Sequence, residues 1–281
     1  MKFVKMHGTG NDYIYISLFE EKIDNPEELS RRLSDRHFGV GSDGLILIGD
    51  SDVGDFSMRM FNVDGTEGEM CGNASRCVGK YVYDRGLTGK TEVLLETKSG
   101  IKVLQLNIDP VSNTVKTVRV NMGEPRTESH LIPVISENPE VIDEPLNIDG
   151  IIYPITCVSM GNPHVVTFID DVEQLDIETI GPKFENHPIF PQRVNTEFIQ
   201  VIDRQTLKMR VWERGSGETL ACGSGACASV VAAVLNGLCD TKVKVELRGG
   251  NLEVEWDRTQ NAVYQTGEAQ FVFEGKLLLN V

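Results

Sequence analysis

Shifted by 151 positions, the chain falls on itself. Met58-Arg59-Met60-Phe61 aligns with Met209-Arg210-Val211-Trp212, Glu67 with Glu218, and Cys71-Gly72 with Cys222-Gly223, all without a gap. The same register carries Gly10-Asn11 onto Gly161-Asn162 and Gly86-Leu87 onto Gly237-Leu238. One register held over about 80 residues implies two similarly folded halves, each with a thiol at the start of a helix. At 281 residues the chain is long enough for two cores of ordinary size.

Each half predicts the same run of elements. A short strand leads into a Gly-Asn turn, followed by a helical stretch. In the first half that stretch is residues 25–36, with Asn25 as N-cap and Pro26 at the first helical position. A strand then ends at Phe61 or Trp212, and a Gly-rich loop, a cysteine and a second helix follow. The helix after Cys222 reads Ala226-Cys227-Ala228-Ser229-Val230-Val231-Ala232-Ala233-Val234-Leu235, apolar all round, which predicts burial on every side. Its counterpart spans 73–85. Alternating strands at 101–108, 114–122, 243–247 and 252–256 form hairpins at Asp109-Pro110 and Gly249-Gly250-Asn251.

The expected fold class is α/β of the α+β type. Two pseudo-symmetric domains each wrap a curved, mostly antiparallel sheet around a buried central helix, with the active site in the cleft between them. Val120-Asn121-Met122-Gly123-Glu124-Pro125 and Tyr264-Gln265-Thr266-Gly267-Glu268-Ala269 read as chain crossings. They set the domains at 1–124 plus 268–281 and at 125–267, with a last strand from Gln270 to Leu279 returning to the first.

A formal charge of -15, from 42 acidic and 27 basic residues, argues against a nucleic-acid partner, since phosphate contacts need a basic surface. The N-terminal residues carry no apolar export signal, and no apolar run reaches a membrane span. Six cysteines in so long a chain do not make a disulfide framework, and a reducing cytoplasm fits best.

Cys71 and Cys77 are spaced wider than a zinc pair, and Cys222 and Cys227, five apart, would point to different faces of a helix, so no metal is expected. Cys77, Cys157, Cys227 and Cys239 sit among apolar neighbours and read as structural thiols. Cys71 and Cys222 differ, because each precedes a helix whose N-terminus carries about half a positive charge and unpaired N–H donors. That setting lowers a thiol pKa, and the N–H groups of Gly72-Asn73 and Gly223-Ser224 can cradle a carboxylate.

Six motifs in order make the chain resemble the diaminopimelate epimerase family over its whole length. They are Lys5-Met6-His7-Gly8-Thr9-Gly10-Asn11-Asp12, Phe61-Asn62-Val63-Asp64-Gly65, Met70-Cys71-Gly72-Asn73, Gly161-Asn162-Pro163-His164, Val194-Asn195-Thr196-Glu197-Phe198, and Glu213-Arg214-Gly215 followed by Ala221-Cys222-Gly223-Ser224-Gly225. The resemblance implies a cofactor-independent isomerase that interconverts LL- and meso-2,6-diaminopimelate, in lysine and peptidoglycan precursor synthesis, as a homodimer. It implies Cys71 and Cys222 as the two acid/bases, and Gly72, Asn73, Gly223 and Ser224 as the carboxylate cradle. Asn11, Asn62, Asn162, Asn195, Glu213 and Arg214 become substrate contacts, and His164 and Glu213 tune the thiols. His7, His37, His130 and His187 are left without a catalytic role. Ala74 stands where members often have glycine. Gly44 stands where many have a substrate-touching glutamine, so that contact is missing or replaced.

Other readings stand beside these. Arg214 with Glu213 can be a surface ion pair, and His164 a structural histidine. As a whole, the chain can be a two-cysteine racemase for proline, hydroxyproline or histidine, or a thiol redox or binding protein. Against the racemase, Arg214 offers a fork for a second carboxylate, which proline lacks. Against the redox protein, a resolving cysteine has no use for an anion cradle beside each thiol.

Overall fold

The computed structural model describes residues 1–278, so Leu279, taken as the end of the last strand, lies outside the described residues. The chain divides into two compact units, one of residues 1–121 with 266–281, the other of residues 122–265. Among the described residues four α-helices, α1 (Pro26–Ser34), α2 (Gly72–Asp84), α3 (Ile177–Glu185) and α4 (Gly223–Leu235), stand among many strands. This is the mixed α/β class expected. Among the described residues no helix is long and apolar enough to cross a membrane.

In the first unit the ladder runs through Gln270–Lys276, Lys2–Gly8, Asn11–Ser17, Gly44–Gly49, Phe56–Asn62, Glu92–Thr97, Gly100–Ile108 and Val115–Gly123. Neighbours are antiparallel except at Asn11–Ser17 with Gly44–Gly49 and at Phe56–Asn62 with Glu92–Thr97. The second unit repeats the scheme through Glu144–Ile148, Ile151–Ser159, Pro163–Phe168, Asn195–Asp203, Thr206–Glu213, Lys242–Leu247 and Gly250–Asp257. Its parallel pairs fall at the equivalent places, Pro163–Phe168 with Asn195–Asp203 and Thr206–Glu213 with Lys242–Leu247. Helices α2 and α4 begin and end in the register of the sequence repeat.

Local chemistry explains the helices. Asn25 caps α1 by accepting the Glu28 N–H at 3.1 Å, with Pro26 inside the first turn. Leu29 and Leu33, one turn apart, are buried on the sheet with Ile14, Ile16, Leu45, Leu47 and Phe61. Burying each such side chain stabilises by about 1.5–3 kcal/mol. Alanines give α4 high helix propensity, and its residues from Gly225 to Ala233 are all buried. It packs on Gly250–Asp257, Ile151–Ser159 and Asn195–Asp203, while α2 packs on Lys2–Gly8 and Gly100–Ile108. The N–H groups of Gly237 and Leu238 close α4 on the carbonyls of Val234 and Ala233. Each unit thus holds one deeply packed helix with a cysteine as its N-cap residue.

Candidate active site

In the first unit, Cys71 is the N-cap of α2, in extended conformation, and is partly exposed. Its thiol donates to Asn11 Oδ1 at 3.4 Å, and the Asn73 amide donates to the same oxygen at 3.2 Å. Both asparagines are held from behind. Asn11 Nδ2 donates to Asp43 Oδ2 at 2.7 Å. Asn73 Oδ1 accepts from the fully buried Arg76 at 2.8 Å, and Arg76 also donates to Thr9 Oγ1 at 3.1 Å. Asp43 shares Arg36 with Asp12, which also pairs with Lys5 at 2.7 Å. Burial, then the charge of Asp12, raises the Asp43 pKa. At Asp12 burial works the other way from the net result, since Arg36 and Lys5 hold its carboxyl below the usual range. The structure therefore brings Asn11, Cys71 and Asn73 together on a braced ion network. Asn62 is engaged elsewhere, donating to Thr66 Oγ1 at 3.0 Å across its own turn.

Gly44 opens its strand at a φ of +155°, and a Cβ there would lie 2.2 Å from the Phe61 carbonyl oxygen and 3.0 Å from the Tyr13 ring. That backbone has no room for a glutamine side chain. The Tyr13 phenol is kept well above its ordinary pKa by burial, then by the charges of Cys71 and Asp43.

In the second unit, Cys222 caps α4 with its own sulfur, which accepts the Gly225 N–H at 3.4 Å and lies 3.6 Å from Ser224 Oγ. Sequence reasoning expects the helix terminus to lower this thiol's pKa. Ser224 and the Gly225 N–H do act in that direction. Burial outweighs them, followed by the charges of Glu213 and Glu197, and the thiol is held well above its usual value. Burial also raises the Glu213 carboxyl, whose oxygen accepts the Thr219 hydroxyl.

His164 is fully buried, with Nδ1 2.8 Å from Glu197 Oε1 and Nε2 2.9 Å from Asn162 Oδ1. Asn162 Nδ2 donates to Ser224 Oγ at 3.3 Å, which joins the Gly-Asn turn to the thiol loop. Asn195 is buried as a clamp, donating to the Pro163 carbonyl at 2.9 Å and accepting the Arg214 N–H at 3.0 Å. The Arg214 guanidinium donates to the Gln192 carbonyl at 3.1 Å, and among the described residues it forms no ion pair with Glu213. The surface ion-pair reading of those two residues is thereby set aside.

Helix geometry leaves the N–H groups of Gly72, Asn73, Gly223 and Ser224 without intrahelical acceptors, two donors beside each thiol. None of the six cysteines is joined in a disulfide among the described residues. Burial pushes Cys77 and Cys239 up to about 11, and Cys157 further in the same direction. Among the described residues no group of three His, Cys, Asp or Glu is placed to hold a metal ion. A cavity of about 340 Å³ in the first unit is lined by Lys2, Tyr15, Tyr81 and Glu274 among others, and by none of the residues singled out from sequence.

Two buried groups escaped the sequence reading as functional residues. Glu197 lies in the buried first half of its strand, and an acidic residue at an inward position needs a partner. Glu185 is 6% exposed and carries three hydrogen bonds. Nothing in its surroundings in sequence marks it.

The family model described as "Diaminopimelate epimerase" matches residues 3–128 and 156–272. A protein of that name from Acetivibrio thermocellus is 57% identical over 280 residues, covering 100% of this chain and 99% of its own length. Another, from Methanococcus maripaludis strain C6, is 56% identical and covers 99% of both. Among solved structures, a phenazine biosynthesis protein of the PhzF family from Bacillus anthracis covers 99% of both chains at a TM-score of 0.71 and 17% identity. A probable proline racemase from Agrobacterium radiobacter covers 99% of this chain and 93% of its own at a TM-score of 0.68 and 15% identity. At such identities the structural likeness concerns the fold alone.

Proposed function

The chain belongs to the diaminopimelate epimerase family, and on that premise we propose that it interconverts LL- and meso-2,6-diaminopimelate with Cys71 and Cys222 as paired acid and base. The observation that carries this reading is the placement of each cysteine as the N-cap of a buried helix, in one repeat register. One domain, 1–124 with 268–281, supplies Cys71, and the other, 125–267, supplies Cys222. In each direction one cysteine, as thiolate, removes the α-proton and becomes a thiol. The other, as thiol, delivers a proton to the opposite face and becomes a thiolate. Charge is conserved, and the two exchange roles in the reverse reaction.

The α-proton is a very weak acid, so the developing carbanion needs strong stabilisation. The N–H groups of Gly72, Asn73, Gly223 and Ser224 supply it at the reacting carboxylate without reorganising. Asn11 and Asn162 bind the reacting amino-acid end, neutral groups that donate to a carboxylate and accept from an ammonium. Arg214 grips the distal carboxylate and Asn62 contacts the same end, while Asn195 fixes the Arg214 backbone. Glu213 and His164 set the Cys222 environment. No pyridoxal cofactor and no metal take part. The protein acts on a small zwitterion in the cytoplasm, in lysine and peptidoglycan precursor synthesis, as a homodimer.

The deciding experiment is proton NMR of LL-diaminopimelate incubated with the protein in heavy water, with reductant and chelator present. Loss of the α-proton signal together with growth of the meso form is expected. No exchange, or exchange restored only by zinc or pyridoxal phosphate, would overturn the reading. L-Proline under the same conditions is expected to keep its α-proton.

A further inference from the structure

Glu197 carries no role in the family resemblance, yet its surroundings are those of a functional group. It is 0% exposed in the strand Asn195–Asp203, flanked by Thr196 and Phe198, also 0% exposed. One carboxylate oxygen, Oε2, is buried without a partner. Burying a charge this way costs stability, and an apolar residue there would serve packing better. Space is also kept open for it, because a Cβ on Gly225 would lie 2.4 Å from Glu197 Oε1. The first turn of α4 thus gives up a side chain to seat this carboxylate beside Cys222.

From Oε1 a continuous chain of contacts leads to the thiol. Glu197 Oε1 lies 2.8 Å from His164 Nδ1, and His164 Nε2 lies 2.9 Å from Asn162 Oδ1. Asn162 Nδ2 donates to Ser224 Oγ at 3.3 Å, and Ser224 Oγ lies 3.6 Å from Cys222 Sγ. The order of donors follows. With the Asn162 amide facing Ser224 by its nitrogen, Ser224 Oγ accepts on that side, and its hydroxyl hydrogen is left for the sulfur. A donor aimed at Cys222 favours the thiolate that burial and the nearby carboxylates disfavour.

We propose that Glu197 is a positioning residue for Cys222, acting through His164, Asn162 and Ser224 to hold the serine hydroxyl as a donor to the sulfur. The idea rests on Cys222 being one of the two reacting thiols. The titratable groups around Glu197 are His164, Cys222, Glu213 and Cys157. The first belongs to the relay, the second is its target, and the other two lie outside it.

The test compares wild-type protein with Glu197→Gln, His164→Gln and the double variant. Iodoacetamide alkylation of Cys71 and Cys222, resolved by mass spectrometry, is followed against pH, and kcat and KM are measured for LL-diaminopimelate. Glu197→Gln removes a charge that itself holds the Cys222 thiol up, but loss of the ordered Ser224 donor is expected to outweigh this, moving the Cys222 alkylation profile to higher pH and leaving that of Cys71 in place. It should lower kcat about tenfold, the scale of one charge-assisted hydrogen bond, with KM within about twofold. In the His164→Gln background the same change should add little, because the two residues act in series. A Cys222 profile that is unmoved or moves to lower pH, or a full Glu197→Gln effect without His164, overturns the relay. If Glu197→Gln does not fold, Ser224→Ala tests the last link, and an unchanged Cys222 profile there has the same consequence. Alkylation needs no substrate, so wild-type protein that fails to epimerise would refute the proposed function separately.

Discussion

Glu185 Oε1 accepts the backbone N–H of Gly215 at 2.9 Å, pinning the end of α3 to the loop that carries Arg214. Its other oxygen accepts the Trp212 indole N–H at 2.7 Å, and Arg193 pairs with Oε1 at 2.9 Å. Glu185→Ala removes the acceptor of the part-buried Trp212 indole and Gly215 N–H hydrogen bonds, each worth about 0.5–1.5 kcal/mol net. The expected outcome is a lower melting temperature and, if the loop carries the distal-carboxylate contact proposed for Arg214, a raised KM. Thermal unfolding and steady-state kinetics check both, and an unchanged KM would separate this anchor from substrate binding.

Among the described residues the Arg214 guanidinium donates one hydrogen bond, to the Gln192 carbonyl, which leaves further N–H groups for a carboxylate. Arg214→Lys keeps the charge and loses the bidentate geometry. kcat/KM for diaminopimelate should fall about ten- to a hundredfold, the worth of a charged hydrogen bond. Kinetics indistinguishable from wild type would remove Arg214 from the site.

Much of this was legible in the sequence because the repeat is unusually informative. It marked Cys71 and Cys222 as equivalent, and α2 and α4 begin one residue after them. Asn25 as N-cap and the hairpin strands followed from local chemistry. What was hidden depends on contacts distant in sequence. Glu185 reaches Gly215 across 30 residues, and Glu197 reaches His164 across 33. The raised Cys222 pKa was also hidden, since burial and two carboxylates from other strands oppose the helix terminus that sequence alone displays.

Gly44 tests whether the departure from the family pattern is built into this backbone. Gly44→Gln places a Cβ against the Phe61 carbonyl oxygen, 2.2 Å away, and against Tyr13. Overpacking of this kind costs about 1–3 kcal/mol. The variant should melt earlier and gain nothing in kcat/KM. A faster enzyme of unchanged stability would mean that the strand start accepts the glutamine.

The buried thiols make stability fall in alkali. Cys77 and Cys239 are pushed up to about 11, and Cys157 and Cys222 move the same way. The native state keeps these protons while the unfolded chain sheds them above about pH 8.5. Their contribution is therefore full below that pH and is lost as pH rises toward 11. Each thiol tilts the unfolding free energy by about 1.4 kcal/mol per pH unit across its window. Urea unfolding at a series of pH values should show the decline, with a shallower slope for Cys77→Ala. A flat profile would mean that the unfolded chain ionises no more readily than the native one.

The two-thiol account makes Cys71 and Cys222 separately indispensable and the other four cysteines structural. Alanine at either reacting position should cost about 10²–10⁴-fold, the usual range for a positioned acid or base. The double variant should be little worse, because inversion needs both groups. Alanine at Cys77, Cys157, Cys227 or Cys239 should alter mainly stability. The most direct measurement is epimerisation of LL-diaminopimelate by Cys71→Ala and Cys222→Ala, with circular dichroism confirming the fold. Near-complete loss in both is the predicted result, and near-normal turnover by either one would contradict the paired-thiol mechanism.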